Sequence, residues 1–196
     1  MGPIPDTYNG EVTTHPLPQM VLTSLAGYNF NMGDLISETE RQEKAIGYFE
    51  SAYKLQMAGQ LDSAVLLYSK SIDLYPTAEA YTFRGWAYSM MSRLDEAIDE
   101  CRKAIEVDPT FGNPYNDIGA YLIEKGSPED AIPWLERAII APRYENYHFA
   151  HLNLGRVYES KNDLMKAMKC YSRALELEPR YKMALKSIRR LQAQLN

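Results

Sequence analysis

Two histidines in the C-terminal half of the chain could do chemistry. His148 and His151 lie three residues apart, so on a helix they would share one face and could chelate a metal ion. Zinc sites take three or four protein ligands, and no further ligand is evident beside this pair. His151 also occupies the register of Tyr48, Tyr81 and Tyr115 in the repeat pattern described below. We therefore interpret it as a packing residue.

Other catalytic patterns are missing from the sequence. Cys101 and Cys170 are its 2 cysteines, and Cys101 falls in a register of large apolar residues, which predicts a buried and inert thiol. Two cysteines cannot stabilise a chain of 196 residues through disulfides, and such low cysteine content is typical of a reducing compartment. We therefore expect a cytoplasmic protein. No phosphate-cradling glycine loop or nucleophile elbow occurs. These observations predict a non-catalytic protein without cofactor or metal.

Composition and charge exclude two further classes of function. Of the residues, 45% are hydrophobic and 24% charged, and the net charge is -5, whereas a dedicated nucleic-acid binder carries a basic stripe over its main body. The acidic pairs Asp95-Glu96 and Asp99-Glu100 are interpreted as solvated helix faces. No apolar run approaches the roughly 18 residues of a membrane-spanning helix. We expect neither nucleic-acid binding nor membrane insertion.

An internal repeat sets the architecture. Ala64, Ala97, Ala131 and Ala167 are separated by 33, 34 and 36 residues. Four more registers keep nearly the same step: Ala52, Gly85, Gly119 and Gly155; Pro76, Pro109, Pro142 and Pro179; Tyr48, Tyr81, Tyr115 and His151; Ser71, Ala104, Ala138 and Ala174. Small residues at these steps let two helices approach closely, and the prolines end each unit.

A period near 34 with these residue types resembles the tetratricopeptide repeat (TPR), a helix–turn–helix unit. The resemblance implies an all-α, right-handed superhelical TPR solenoid. Its array covers residues 37–179, with repeats at about 45–77, 78–111, 112–147 and 148–180, and a C-terminal capping helix covers 181–196. The helices are predicted at about 45–58, 61–74, 78–91, 94–107, 112–125, 128–141, 148–161, 164–177 and 181–195.

The N-terminal segment lies outside the repeats. Residues 1–36, with four prolines before residue 19, are predicted to form an extended and partly apolar arm. Ser37 and Glu40 match a capping box that would begin the first helix. The apolar residues 17–30 could fold back over the groove described next, or the groove could be open.

The resemblance also implies a site, because the first helices of successive TPR units line a concave groove that binds peptides. An aromatic N-terminal half would hold an apolar anchor. A C-terminal half with amides, acids and one main cation would grip a neutral or basic peptide. The predicted partner-binding residues are Phe49, Glu50, Tyr53, Phe83, Trp86, Met90, Asn113, Asn116, Asp117, Glu124, Asn153 and Arg156.

These residues predict a protein–protein interaction scaffold or adaptor that binds a peptide or helix of another protein. TPR proteins that bind acidic chaperone tails use a cationic clamp, whereas the corresponding faces here carry Phe49, Phe83 and Asp117. The alternatives are a chaperone-like client carrier and a self-assembling protein in which the arm or capping helix of one copy enters another's groove. A metal-dependent enzyme acting through His148 and His151 and an RNA binder acting through 180–190 are the remaining hypotheses.

Overall fold

The computed structural model describes the backbone of residues 32–195 and the side chains of residues 38–194. Within that part of the chain the regular structure is entirely helical. The helices are α1 (Met32–Met57), α2 (Leu61–Leu74), α3 (Ala78–Met90), α4 (Leu94–Val107), α5 (Asn113–Glu124), α6 (Pro128–Ile140), α7 (Tyr147–Ser160), α8 (Leu164–Leu177) and α9 (Lys182–Leu195). None of these described helices has the length and apolar character that a bilayer crossing requires.

The helices pack as four stacked hairpins. Each first helix (α1, α3, α5, α7) packs along its second helix (α2, α4, α6, α8), and each second helix contacts the first helix of the next hairpin. The first helices also touch one another in sequence, and α9 packs on α8. Apolar surface that one hairpin leaves open is therefore covered by its neighbours.

Glycines in the first helices make the hairpins close. A Cβ added to Gly119 would lie 2.5 Å from Leu135 Cδ2, and one on Gly155 would lie 2.3 Å from Tyr171 Cε1. Leu135 and Tyr171 are fully buried, so they cannot retreat into solvent. The large side chains thus rest directly on the backbone of Gly119 and Gly155, where the register predicted contact with a small residue of the second helix.

The turn inside each hairpin uses the same backbone conformation. The second-last turn residue has a positive φ in all four hairpins: 75° at Gly59, 60° at Ser92, 83° at Gly126 and 59° at Asn162. The next residue's N–H then donates to the carbonyl five residues earlier, at 2.9 Å in each case. This left-handed cap satisfies helix-end carbonyls and stops each first helix at the same point.

The first helix begins earlier than the sequence predicts. Since α1 starts at Met32, Ser37 lies inside the helix, and the capping-box interpretation of Ser37 and Glu40 is wrong. The arm predicted for 1–36 therefore overlaps α1 by its last residues, and residues 1–31 lie outside the described part of the chain. The helices from α2 to α9 begin and end within one residue of their predicted limits.

One acid of α4 was assigned to the wrong face. Glu100 is buried rather than solvated, and its carboxylate pairs with Arg84 of α3 at 2.6 Å. The same carboxylate accepts from Lys103 at 2.8 Å, while Arg84 also donates to the Ser69 hydroxyl at 2.8 Å. This network ties α4 to α2 and α3 through charge rather than through apolar contact.

The link between α6 and α7 is hydrogen-bonded to the link between α4 and α5. The Arg143 N–H donates to the Thr110 carbonyl and the Arg143 carbonyl accepts from the Gly112 N–H, both at 3.0 Å. Beside this bridge, the Tyr144 side chain occupies the place where a Cβ on Gly112 would be. Gly112 is therefore required for the close approach of the two links.

The side chain of Arg143 extends this contact to a third element. Its Nη2 pairs with Glu79 of α3 at 2.6 Å, and its Nη1 pairs with Asp108 at the end of α4. The guanidinium also lies 5.2 Å from the centre of the Phe111 ring. One arginine thus connects the α6–α7 link with the hairpin formed by α3 and α4.

Candidate partner-binding groove

The surface formed by α1, α3, α5 and α7 is called the groove here. Two registers of residues run along it with the repeat step. The first is Glu50, Phe83, Asp117 and Asn153, and the second, three residues later on each helix, is Tyr53, Trp86, Ala120 and Arg156. Residues three apart share a helix face, so the two registers form adjacent rows.

The N-terminal part of the groove carries a cluster of aromatic rings, which we call the aromatic patch: Phe49, Tyr53, Phe83 and Trp86. Phe83 is its centre, with ring-centroid distances of 5.2 Å to Phe49, 5.8 Å to Tyr53 and 5.8 Å to Trp86. The pairs meet edge to face, the arrangement that the ring quadrupoles favour. The sequence prediction brought these four residues together correctly.

The aromatic patch has one side in the core and one side toward solvent. Phe49 and Phe83 pack on the buried cluster that includes Ala52 and Tyr68. On the other side, Tyr53 keeps 38% of its surface exposed. Large exposed apolar side chains flank it on the same helices: Met57 and Met90. The patch is thus neither wholly core nor wholly exposed.

A pocket adjoins this patch on α1. It is lined by Phe49, Glu50, Tyr53 and Lys54, so an acid and a base border two rings. Lys54 was not among the predicted site residues, although its position next to Tyr53 on α1 would have allowed the prediction.

Gln56 is a second residue that the sequence analysis missed. It is fully buried between α1 and its neighbours, where its Oε1 accepts from the Tyr68 hydroxyl at 2.8 Å and its Nε2 lies 3.5 Å from the Met90 sulfur. Burial raises the pKa of Tyr68 far above its usual value. Gln56 therefore connects α1 to Tyr68 of α2 and to Met90 of α3, and its helical spacing from Phe49 is the signal that could have revealed it.

The C-terminal part of the groove differs from the expectation of solvent-facing amides. Asn116 and Asp117 of α5 and Asn153 of α7 are all buried, Asn153 completely. Asn153 Nδ2 donates to Asn116 Oδ1 at 3.1 Å, and Asn116 Nδ2 donates to Asp117 Oδ1 at 3.2 Å. Arg156 Nη1 in turn donates to Asn153 Oδ1 at 3.3 Å. The amides thus bond to one another, and their binding role stays a prediction.

Burial also changes the acid at the end of this chain of hydrogen bonds. Desolvation raises the pKa of Asp117 to about 7, and the Asn116 hydrogen bond opposes the increase. The nearby Cys101 thiol is fully buried, which raises its pKa well above the usual value, and Asp117 and Glu100 raise it further. Cys101 is therefore protonated and inert, as its register predicted.

Three of the polar residues predicted for the C-terminal part of the groove stay reachable from solvent. Glu124 is exposed, and Asn113 and Arg156 are half-buried. Partial burial raises the pKa of Glu124, while Arg156 opposes that increase. Solvent-accessible side chains of negative and positive charge thus border the buried amides.

The histidine pair lies in a packed aromatic environment. The ring centre of His148 lies 4.2 Å from that of Phe149 and 4.9 Å from that of Tyr181. Burial lowers the pKa values of His148 and His151. Within the described residues, no group of three or more histidine, cysteine or acidic side chains is arranged to hold a metal ion.

Comparison with known proteins agrees with the stacked helical hairpins described above. The model of the tetratricopeptide repeat matches residues 78–111 and 148–186. The small glutamine-rich tetratricopeptide repeat-containing protein 2 of Mycosarcoma maydis is 30% identical over 87 residues, which cover 44% of this chain and 25% of that protein. This chain thus spans about a quarter of that relative's length.

Two solved structures share the fold. That of Pseudomonas aeruginosa pilF superposes with a TM-score of 0.74 at 20% identity, covering 79% of this chain and 70% of pilF. That of MamA gives a TM-score of 0.61 at 26% identity, covering 74% and 79% of the two chains. The chain therefore carries tetratricopeptide repeats at residues 78–111 and 148–186 and has an all-α solenoid fold, and such repeats support a general role in protein–protein interaction.

Proposed function

We propose that this chain is a non-catalytic interaction module that binds one segment of a partner protein in its groove. The observation that carries the proposal is the aromatic patch, whose rings pack on the core on one side and keep exposed edges on the other. Aromatic side chains that present a part-exposed pocket are typical anchors of protein interfaces. The expected segment carries a large apolar side chain that covers Tyr53 and Trp86.

Selection of peptides from a random display library tests this proposal. The chain is compared with the double variant Tyr53→Ala/Trp86→Ala, which spares Phe83 because that ring also supports the core. We expect the chain to enrich peptides with a large apolar residue and the variant to lose them. The matched control is Ile140→Ala/Met165→Ala, which truncates side chains that are 78% and 75% exposed on the second helices α6 and α8.

Binding of a selected peptide is then measured through Trp86 fluorescence. The chain has 2 tryptophans, so a Trp134→Phe variant leaves Trp86 as the reporter. A saturable change in emission, with affinity kept in the control variant and lost in Tyr53→Ala, supports the groove as the site. Equal enrichment by the chain and by the Tyr53→Ala/Trp86→Ala variant would contradict it.

A further inference from the structure

Two exposed methionines border the aromatic patch. Met57 follows Tyr53 by four residues on α1, and Met90 follows Trp86 by four residues on α3. Residues four apart lie on the same face of a helix, about one turn from each other. Met57 is 51% exposed and Met90 is 37% exposed. A segment that covers the two rings would therefore also contact the two thioethers.

The register of these methionines is apolar only beside the aromatic patch. Met57 and Met90 are one repeat apart, and the same register carries the exposed polar residues Glu124 on α5 and Ser160 on α7. A thioether is flexible and apolar, and its sulfur accepts hydrogen bonds only weakly. The apolar surface of the patch is thus extended by side chains whose polarity oxidation can change.

A buried amide lies next to the sulfur of Met90. Gln56 Nε2 is 3.5 Å from Met90 Sδ, and this weak acceptor is the only one that the described residues offer to the amide nitrogen. Gln56 is fully buried, so its donor has no access to water. A sulfoxide oxygen on Met90 would be a stronger acceptor for this donor than the thioether is. Oxidation of Met90 is therefore compatible with the folded chain.

We propose that Met57 and Met90 are modification sites for peroxides, and that their conversion to sulfoxides releases the partner segment from the aromatic patch. The inference rests on the proposed function and adds a means of regulating it. Each thioether sulfur donates an electron pair to one oxygen of hydrogen peroxide, and a sulfur–oxygen bond forms as the oxygen–oxygen bond breaks. The departing hydroxide takes the proton of the transferred oxygen and leaves as water. The sulfur is thereby oxidised and the peroxide is reduced.

A sulfoxide weakens the contact because its oxygen is polar. The anchor expected of the partner is a large apolar side chain, which offers no donor to an oxygen on Met57 or Met90. Covering these oxygens would remove polar groups from water without replacing their hydrogen bonds. The cost of burying such groups predicts a loss of affinity of at least about tenfold.

Peroxide footprinting tests the modification sites on the full chain. Peptide mass spectrometry measures the oxidation rate of each methionine during brief treatment with hydrogen peroxide. We expect Met57, Met90 and the exposed Met165 of α8 to react fastest among the described methionines. The half-buried methionines should react more slowly: Met91, Met168 and Met183. A saturating selected peptide without methionine or cysteine should slow the oxidation of Met57 and Met90 at least about threefold and leave that of Met165 unchanged.

Calorimetric titration with the same peptide then tests the release. The chain is compared with Met57→Leu/Met90→Leu and with the matched control Met165→Leu, each before oxidation and after it, once the peroxide has been removed. Leucine keeps the apolar volume and has no sulfur. Oxidation should weaken binding to the chain and to the control at least about tenfold, and binding to the double variant less than about twofold. Methionine sulfoxide reductases should restore the affinity of the oxidised chain.

Several outcomes would overturn the inference and leave the proposed function intact. These are slow oxidation of Met57 and Met90, unchanged affinity after both are oxidised, or an equal loss of affinity in Met57→Leu/Met90→Leu. Loss of the circular dichroism of the folded chain on oxidation would also overturn it, because release would then follow from unfolding. Peptides that bind Tyr53→Ala/Trp86→Ala as tightly as the chain would overturn both the inference and the proposed function.

Discussion

Asp117 links folding stability to pH because it is buried without full hydrogen bonding. Burial raises its pKa from 3.8 to about 7, so the folded chain binds this proton more tightly than the unfolded chain. The stabilising effect of the proton is complete below the unfolded pKa and is lost as the pH rises through about 7. Above that pH, the folded protein carries a buried charge near the Cys101 thiol.

The neutral variant Asp117→Asn should remove this dependence. We expect it to be more stable than the unmodified chain at pH 8, by up to about 4 kcal/mol at about 1.4 kcal/mol per pKa unit, with a smaller difference at pH 4.5. Urea denaturation at both pH values measures the difference. The exposed Asp99→Asn serves as control and should show a difference within about 0.5 kcal/mol at both pH values. A difference that is independent of pH would contradict the assignment.

Single residues also show which features of the site the sequence could predict and which it could not. Helical spacing placed Phe49 and Tyr53 on one face of α1, and the repeat step placed Phe83 on the matching face of α3. The three rings meet where these two faces adjoin. The same spacing placed Asn116 and Asn153 on the groove but could not reveal their burial, because burial comes from the packing of α5 and α7 against neighbouring helices. A pattern along one helix carries no information on how closely its neighbours approach.

Among the elements, the four hairpin turns offer a direct comparison of residue types. Ser92 holds the left-handed conformation that Gly59 and Gly126 hold in other hairpins. Its side chain is exposed and its Cβ disfavours this backbone. Ser92→Gly should therefore stabilise the chain by about 0.5–1 kcal/mol in thermal or urea unfolding.

The control for this variant is Ser51→Gly, an exposed serine within α1 whose hydroxyl donates to the Gly47 carbonyl at 2.8 Å. Glycine within a helix interior is unfavourable, so this change should destabilise by about 0.5 kcal/mol. Opposite signs at the two serines would confirm that the backbone conformation decides the effect. A loss of stability for Ser92→Gly would contradict the interpretation.

The limits of α2 to α9 were predictable because the turn residues recur with the repeat. The start of α1 was not, since a serine followed three residues later by a glutamate also fits a helix interior. Met32 begins the helix five residues before Ser37, and the helix continues through both residues of the supposed cap. Capping residues locate a helix start only where the backbone before them leaves the helix.

At the scale of the whole molecule, Arg143 couples the third hairpin's outgoing link to the second hairpin. Arg143→Gln should lower the free energy of unfolding by about 1 kcal/mol, because the ion pairs with Glu79 and Asp108 are partly exposed. The loss should shrink in 1 M salt. Urea denaturation at low and high salt measures both effects.

Arg173→Gln is the control for that prediction, because Arg173 pairs with Glu176 within one exposed turn of α8 at 2.7 Å. Its loss should cost at most about 0.5 kcal/mol. Equal losses in the free energy of unfolding for the two arginine variants would show that the long-range ion pairs contribute no more than a local one. The sequence could not reveal the Arg143 contact, since Glu79 lies 64 residues earlier.

The same arginine has a consequence for the chain under mechanical load. A stack whose hairpins touch only their neighbours can be peeled from either end, one hairpin at a time. Here the ion pair between Arg143 and Glu79 joins the link after the third hairpin to the second hairpin. Peeling from the C-terminus must break this ion pair before the third hairpin can leave. Tension would therefore release α7, α8 and α9 first, and the third hairpin would follow only after this ion pair had broken.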